Sequence, residues 1–336
     1  MRIGLSLPHY GFSLPSDAPI TFEALASWAV RAEELGFDSV WVSDHFFYSL
    51  GRYRADPTPI ASLEPLTSLA GLAMRTQRVR LGVLVLGSPF RHPAIVARMA
   101  ATIDQASGGR LELGVGAGWF EDEFESFGYP FGSIGERFDS LQDTLAILDG
   151  LFRAPDEPLT YEGRTASVHE ARLLPSPIQR PVPVWVGGKG GPRLLRLAAR
   201  HGTGWNVVWR LTDDWYRTKL GHIEAACETE GRDPATFRRS VGLYSLIGED
   251  DRAARAAFAR GQSAMPGGAL DAETYEGWCA DTLSGTPEHA LARLASLEAM
   301  GVEEVVVAPW VLPFAIHEPE QVELFAERVL GPLRAG

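Results

Sequence analysis

The chain has 336 residues, 45% of them hydrophobic and 22% charged, with a formal net charge of −12. That length can bury a large core, and the composition is ordinary for a globular protein. An acidic surface repels phosphate backbones, which argues against a nucleic-acid partner. No stretch approaches the roughly 20 apolar residues of a membrane-spanning helix. The amino terminus runs directly into an apolar strand, Arg2–Pro8, with no basic region ahead of it, so no signal peptide is expected. Cys227 and Cys279 lie far apart and form no metal or redox motif, which fits a reducing compartment. A soluble, cytoplasmic protein acting on a small molecule is expected.

Along the chain, short apolar runs without alternation mark strands covered on both faces. They fall at Ile3–Leu7, Ser39–Val42, Val79–Leu86, Leu111–Val115, Val182–Val186, Trp205–Val208, Val241–Ile247 and Glu304–Ala308. Amphipathic helices separate them. In Thr21–Leu35, Thr21 can cap, Phe22, Leu25, Ala26, Ala29 and Ala32 form an apolar stripe, and Gly36 ends the helix. Pro93–Ala106, Ile134–Phe152, Pro192–His201, Asp213–Glu230 and Pro287–Met300 follow the same logic. Repeated strand–helix–strand units give a parallel sheet with right-handed crossovers. Eight units favour closure into a (β/α)8 barrel, one domain over residues 1–336, rather than an open doubly wound sheet. Residues 154–183, rich in proline, and 249–284, with the loop MPGGALD, break the rhythm and read as insertions over one barrel end.

In such barrels the active site lies where the strands end. After the fifth strand come Gly187, Gly188, Lys189, Gly190 and Gly191, then Pro192 at a helix start. Glycines expose backbone N–H groups and the helix start adds partial positive charge, so the segment can cradle a phosphate, with Lys189 adding a charge. A plain flexible turn is the alternative. After the fourth strand, Gly114 and Gly116 suggest a dinucleotide fingerprint, but Trp119 stands where its third glycine belongs. What remains there is Gly116-Ala117-Gly118-Trp119, able to pass under a flat ring, and the acids Glu121, Asp122 and Glu123, which can equally be a solvated helix start. Asp44 and His45 end the second strand, where a histidine beside an acid can move a proton. Leu84, Val85 and Gly87 end the third, where a ring can lie against backbone. The other histidines show no zinc-like spacing, so no metal is expected. Phe46, Phe47, Tyr48 and Trp119 near the mouth hint at a hydrophobic substrate.

Taken together, RIGLSLP, ELGFDSVWVSDHFF, the run from RVRLGVLVLGSPF to ESFGYPF, and PVPVWVGGKGGPRLLRLAARHGTGWN resemble the bacterial luciferase-like monooxygenase superfamily. They are most similar to its branch using the 8-hydroxy-5-deazaflavin coenzyme F420. The segments span about residues 1–210 in order, and the last third matches loosely. The resemblance implies a (β/α)8 barrel, often dimeric, that carries F420 or, alternatively, FMN. It implies that His45, with Asp44, faces the reactive ring, and that a non-prolyl cis peptide within 84–87 lies behind it. Gly116–Trp119 would lie beside the ring, and Gly188–Gly191 would hold the phosphate. One departure matters: the sugar-phosphate dehydrogenase branch has a glutamate where this chain has Ala117, which puts a 6-phosphosugar substrate in doubt. The implied activity is hydride transfer between F420 and a small organic substrate, with a reduced-FMN monooxygenase and a non-catalytic flavin-binding protein as alternatives. A nicotinamide dehydrogenase on an open sheet is a further option, weakened by Trp119.

Overall fold

The eight apolar runs become the staves of one closed parallel barrel. The computed structural model describes residues 1–15 and 18–335. Its barrel strands are β1 (Arg2–Ser6), β2 (Ser39–Val42), β3 (Arg80–Gly87), β4 (Leu111–Gly116), β5 (Val184–Gly187), β6 (Gly204–Trp209), β7 (Arg238–Tyr244) and β8 (Glu304–Ala308). Each pairs with its neighbours in sequence, and β8 closes on β1 with Arg2 opposite Glu304. The open-sheet alternative is thereby excluded. Boundaries move by a few residues at most; β7, for example, begins at Arg238 and ends at Tyr244, short of Ile247.

Helices cover the outer face. Thr21 caps Phe22–Glu34, its hydroxyl accepting from the Ala24 N–H at 3.2 Å, and Leu25, Ala26, Ala29 and Ala32 are buried as their spacing requires. Phe22 leaves that stripe and seats its ring over Gly71, where a Cβ would come within 2.4 Å of it. Gly71 belongs to a helix the sequence pattern did not announce, Pro65–Arg75. Its cap is Glu64, whose carboxylate accepts from Leu66 N–H and Thr67 N–H; glutamate is an uncommon cap, so the start was hard to see. Within residues 154–183, Leu159–Glu162 and Ser167–Ala171 form an antiparallel hairpin. Within 249–284, helices Asp251–Ala264 and Tyr275–Asp281 flank the MPGGALD turn, so half of that stretch is ordinary barrel helix. Among the described residues, no helix is long and apolar enough to cross a membrane.

Inside the barrel, layers differ sharply. At the amino ends of the strands, Arg2 bridges Glu112 (2.9 Å) and Glu304 (2.6 Å), and Arg80 joins Glu112 at 2.5 Å. Trp185 Nε1 donates to Glu112 at 2.7 Å, and Trp41 Nε1 donates to Ser39 and to Glu304. Gly82 makes room for the Trp41 ring, since a Cβ there would lie 2.2 Å from it. Above the indoles sit Tyr10, Leu84 and Phe314, and beyond them the barrel opens.

Candidate functional site

At the carboxyl ends of the strands lies a cavity of about 790 Å³. Its walls include Asp44, His45, Leu84, Val85 and Gly87. Gly116, Ala117, Gly118, Trp119, Gly188 and Lys189 also line it. Gly190 and Gly191 do not. Gly190 is buried against Trp205, where a Cβ would come within 2.8 Å of the ring. Gly191 is the exposed cap of helix Pro192–His201.

His45 follows β2 and is nearly covered, with 14% of its side chain exposed. Its Nδ1 lies 2.9 Å from Glu123 Oε1, and the other oxygen of Glu123 accepts the Phe46 N–H at 3.0 Å. Glu123 is itself buried. The sequence left it grouped with Glu121 and Asp122 as a possible solvated helix start; those two are exposed, whereas Glu123 faces inward. In the neutral imidazole, a carboxylate at Nδ1 keeps the proton there and leaves the lone pair on Nε2. Only helical periodicity could have flagged this: Glu123 and Phe124 are the two buried residues of Glu121–Ser126.

Asp44 plays a different part from the one the sequence suggested. Its carboxylate accepts from Gly87 N–H (2.9 Å) and from both terminal nitrogens of Arg91 (2.7 and 2.9 Å). Its side chain is 1% exposed. With its acceptors taken, it ties the end of β2 to the end of β3 instead of offering a free carboxylate to a ligand. Phe46 and Phe47 also leave the cavity: Phe46 stacks on Phe127 with centroids 4.3 Å apart, and Phe47 packs against Phe120.

The bond Leu84–Val85 is cis, inside the segment where the resemblance placed one. Here the β3–β4 register shifts between Val83 and Leu86. Val85 reaches toward three strand-end glycines; a Cβ on Gly114, Gly116 or Gly187 would lie 2.7 Å from its methyl groups. Gly116 and Gly187 therefore accommodate Val85 itself, and only secondarily a ring, while Gly114 also makes room for Val83 O, which a Cβ would approach to 2.2 Å.

The glycine loop after β5 is tied down by its carbonyls. Trp205 Nε1 donates to Gly188 O at 2.8 Å, and Lys219 Nζ donates to Gly190 O at 3.2 Å. Gly188 and Gly190 have φ of 150° and 69°, which side-chain-bearing residues rarely adopt. Gly188 N–H is used by Asn206 O at 3.2 Å, but the N–H groups of Lys189, Gly190 and Gly191 have no backbone acceptor among the described residues. Lys189 Nζ donates to Val208 O. Burial lowers the pKa of its ammonium, and the charge of Arg52 adds to the effect.

His45 on β2 and the glycine loop on β5 are separated around the rim by β3 and β4. At about 4.8 Å per strand that is roughly 14 Å, the reach of a tricyclic ring with a phosphate-bearing chain. Loose amides and an ammonium at one stave, apolar strand ends between and an imidazole at the other suit such a group. Among the described residues, no cluster of three or more His, Cys, Asp or Glu is placed to hold a metal ion.

Comparison with known proteins agrees with this architecture. The chain is 34% identical over 228 residues to an F420-dependent glucose-6-phosphate dehydrogenase of Kineococcus radiotolerans, covering 67% of this chain and 64% of that one. The match thus spans slightly less than two thirds of the curated relative. An FMNH2-dependent dimethylsulfone monooxygenase of Pseudomonas putida is 25% identical, with 81% and 78% covered. Among solved structures, an F420-dependent secondary alcohol dehydrogenase in complex with an F420-acetone adduct superposes with a TM-score of 0.77 over 98% of both chains, at 21% identity. The sequence profile described as luciferase-like monooxygenase matches residues 1–304, and the chain belongs to that family.

Proposed function

We propose that the protein is an F420-dependent oxidoreductase acting on a small organic substrate at this cavity. The observation that carries the reading is the shared cavity itself: His45, oriented by a buried glutamate, and Lys189 of the glycine loop, with its open amide and its ammonium, border one space. Bound F420 would supply two-electron hydride chemistry. The chain's own residues do the rest. Lys189, through its amide and its ammonium, would hold the phosphate beside the helix start. Leu84, Val85 and Ala117 offer an apolar wall that keeps water from the ring. His45 Nε2 gives or takes the proton that accompanies hydride movement. The F420-dependent activities of relatives of this chain support this choice of cofactor. Ala117 offers no carboxylate at a position lining the cavity, so the proposal does not extend to glucose 6-phosphate. A homodimer, which rests on the family resemblance, and a cytoplasmic location, which rests on the sequence reading, are part of the same proposal.

The second reading is a monooxygenase using reduced FMN and oxygen, which the Pseudomonas putida relative favours. Titration of the apoprotein with F420 and with FMN, followed by cofactor fluorescence, separates the two. Saturable binding of F420 at concentrations where FMN does not bind supports the proposal; the reverse preference overturns it.

A further inference from the structure

The cavity carries charge in an uneven way. Asp44 and Glu123, both on its wall, are engaged by Arg91 and His45. Arg210, also on the wall, is neutralised by Asp281 and Glu273 at 2.8 and 2.6 Å. Arg52 differs. Its guanidinium carbon lies 4.7 Å from the Trp119 ring centroid and 5.1 Å from that of Tyr53. The hydroxyls of Tyr48 and Tyr53 lie 3.3 Å apart, and Tyr48, Tyr53 and Tyr244 line the same cavity as Arg52. No carboxylate lies within 4 Å of it among the described residues. With Lys189 it forms a pair of cations without acidic partners, facing one cavity in a chain of net charge −12. So acidic a protein has carboxylates to spare, and like charges left facing each other disfavour the empty state.

The segment that carries Arg52 is also held in place. Leu50–Tyr53 is a single tight turn capped by Ser49, whose hydroxyl accepts from Gly51 N–H at 3.2 Å. The insertion turn at Gly267 and Gly268, both at φ 63°, presses on it: a Cβ on Gly267 would lie 1.8 Å from Tyr53 O. Met265 and Leu270 of that insertion, with Trp209, Tyr244 and Trp278, make the surrounding wall aromatic and apolar. Trp119, under the guanidinium, sits 5.6 Å from the His45 ring. The cation is therefore one ring away from the imidazole, on the loop after β2, whereas Lys189 belongs to the glycine loop after β5.

We propose that Arg52, with the hydroxyls of Tyr48, Tyr53 and Tyr244, binds an oxyanion of the substrate, and that the substrate is an aromatic or otherwise apolar acid whose body fills the chamber beside it. Guanidinium–carboxylate hydrogen bonds are among the stronger neutral-pH contacts, and phenols complete the shell without adding charge. This rests on reading the cavity as the reaction site, and sets a preference for acids over the matching neutral compounds.

The test uses the full chain, with and without F420, and two probes of one shape, phenylacetate and phenylacetamide. Binding is read by calorimetry and by quenching of tryptophan fluorescence. We expect the wild type to bind the acid at least about tenfold more tightly than the amide. Arg52→Gln should erase that preference, Arg52→Lys should keep part of it, and F420 affinity should change less than about twofold in both. Equal binding of the two probes by the wild type, or binding of neither, overturns the proposal. So does an Arg52→Gln variant that keeps the preference, or one that loses F420 affinity about tenfold, because the anion site then serves the cofactor. If F420 does not bind at all, the cofactor reading fails, while the probe preference is still decided in the apoprotein.

Discussion

The two ends of the barrel handle charge in opposite ways. At the amino ends, two glutamates and two arginines interlock with two indole N–H groups. At the carboxyl ends, Arg52 and Lys189 stand without acidic partners among the described residues, and His45 borders the same open space. Burial alone would push both floor carboxyls up. Arg2, Arg80 and the Trp185 indole nevertheless hold Glu112 below its ordinary value. Glu304 stays above its ordinary value, because burial and the charge of Glu112 outweigh Arg2. A charge layer that satisfies itself serves the fold. One that is left incomplete calls for a ligand.

The sharpest way to break this contrast is at the mouth. Replacing His45 with alanine should lower turnover by on the order of 10²–10⁴ while leaving the fold and cofactor affinity intact. Steady-state kinetics alongside a fluorescence titration checks both halves. A His45→Ala enzyme turning over at a near-normal rate with bound cofactor would mean the imidazole moves no proton.

Next comes the floor, where the opposite pattern is predicted. Glu112→Ala leaves Arg2, Arg80 and the Trp185 N–H without their shared acceptor. Stability should fall by about 3 kcal/mol, read from the urea midpoint, because half of a buried ion network then lacks its counter-charge. Turnover per folded molecule should stay near wild type. A loss of turnover with unchanged stability would erase the distinction between the two ends.

Past the carboxyl end of β1 lies His9, fully buried beside the backbone of Leu63 and Ser43, with neither ring nitrogen in hydrogen-bond geometry among the described residues. Burial drops its pKa from 6.5 to about 4. Between those values the unfolded chain takes up the proton and the folded one does not. Its contribution therefore favours folding above about pH 6.5 and is lost as pH falls toward 4. The loss is on the order of 3 kcal/mol. His9→Phe, which keeps the bulk and removes the titration, should flatten the stability profile over that window relative to wild type. Parallel profiles for the two proteins would show that His9 is charged or solvated in the fold.

The barrel was legible in the sequence because buried parallel strands need continuous apolar runs, and eight of them stood out between capped helices. Helix Pro65–Arg75 escaped notice because its cap is a glutamate. At the site, position along a strand was enough to find His45, Leu84, Gly116 and Gly188, since anything just past a strand end faces the mouth. Direction was not. Whether Asp44 points to a ligand or to Arg91 depends on a residue 47 positions away. Why Gly116 and Gly187 must be glycine depends on Val85, and why Gly114 must be depends on Val83 O as well, both on another strand. Arg52 and Lys219 carry no local signal, because what makes each matter is contacts assembled by separate loops.

The smallest effect predicted here tests how the floor's habit of pairing reaches into the mouth through Glu123. Glu123→Gln keeps the side chain's size. Its amide oxygen can still accept the Phe46 N–H, which turns the NH2 group toward His45 Nδ1. Nδ1 must then accept, and the ring proton moves to Nε2, the nitrogen left to meet the substrate. Turnover should fall roughly tenfold to a hundredfold, less than on removing the ring, because imidazole and binding site both remain. Nitrogen-15 NMR of labelled histidine would show the exchange of tautomers directly. Glu123→Ala, which imposes no tautomer, should lose less than the glutamine variant. If alanine is the more damaging of the two, the carboxylate acts by its charge, and the orientation of the ring is a lesser matter.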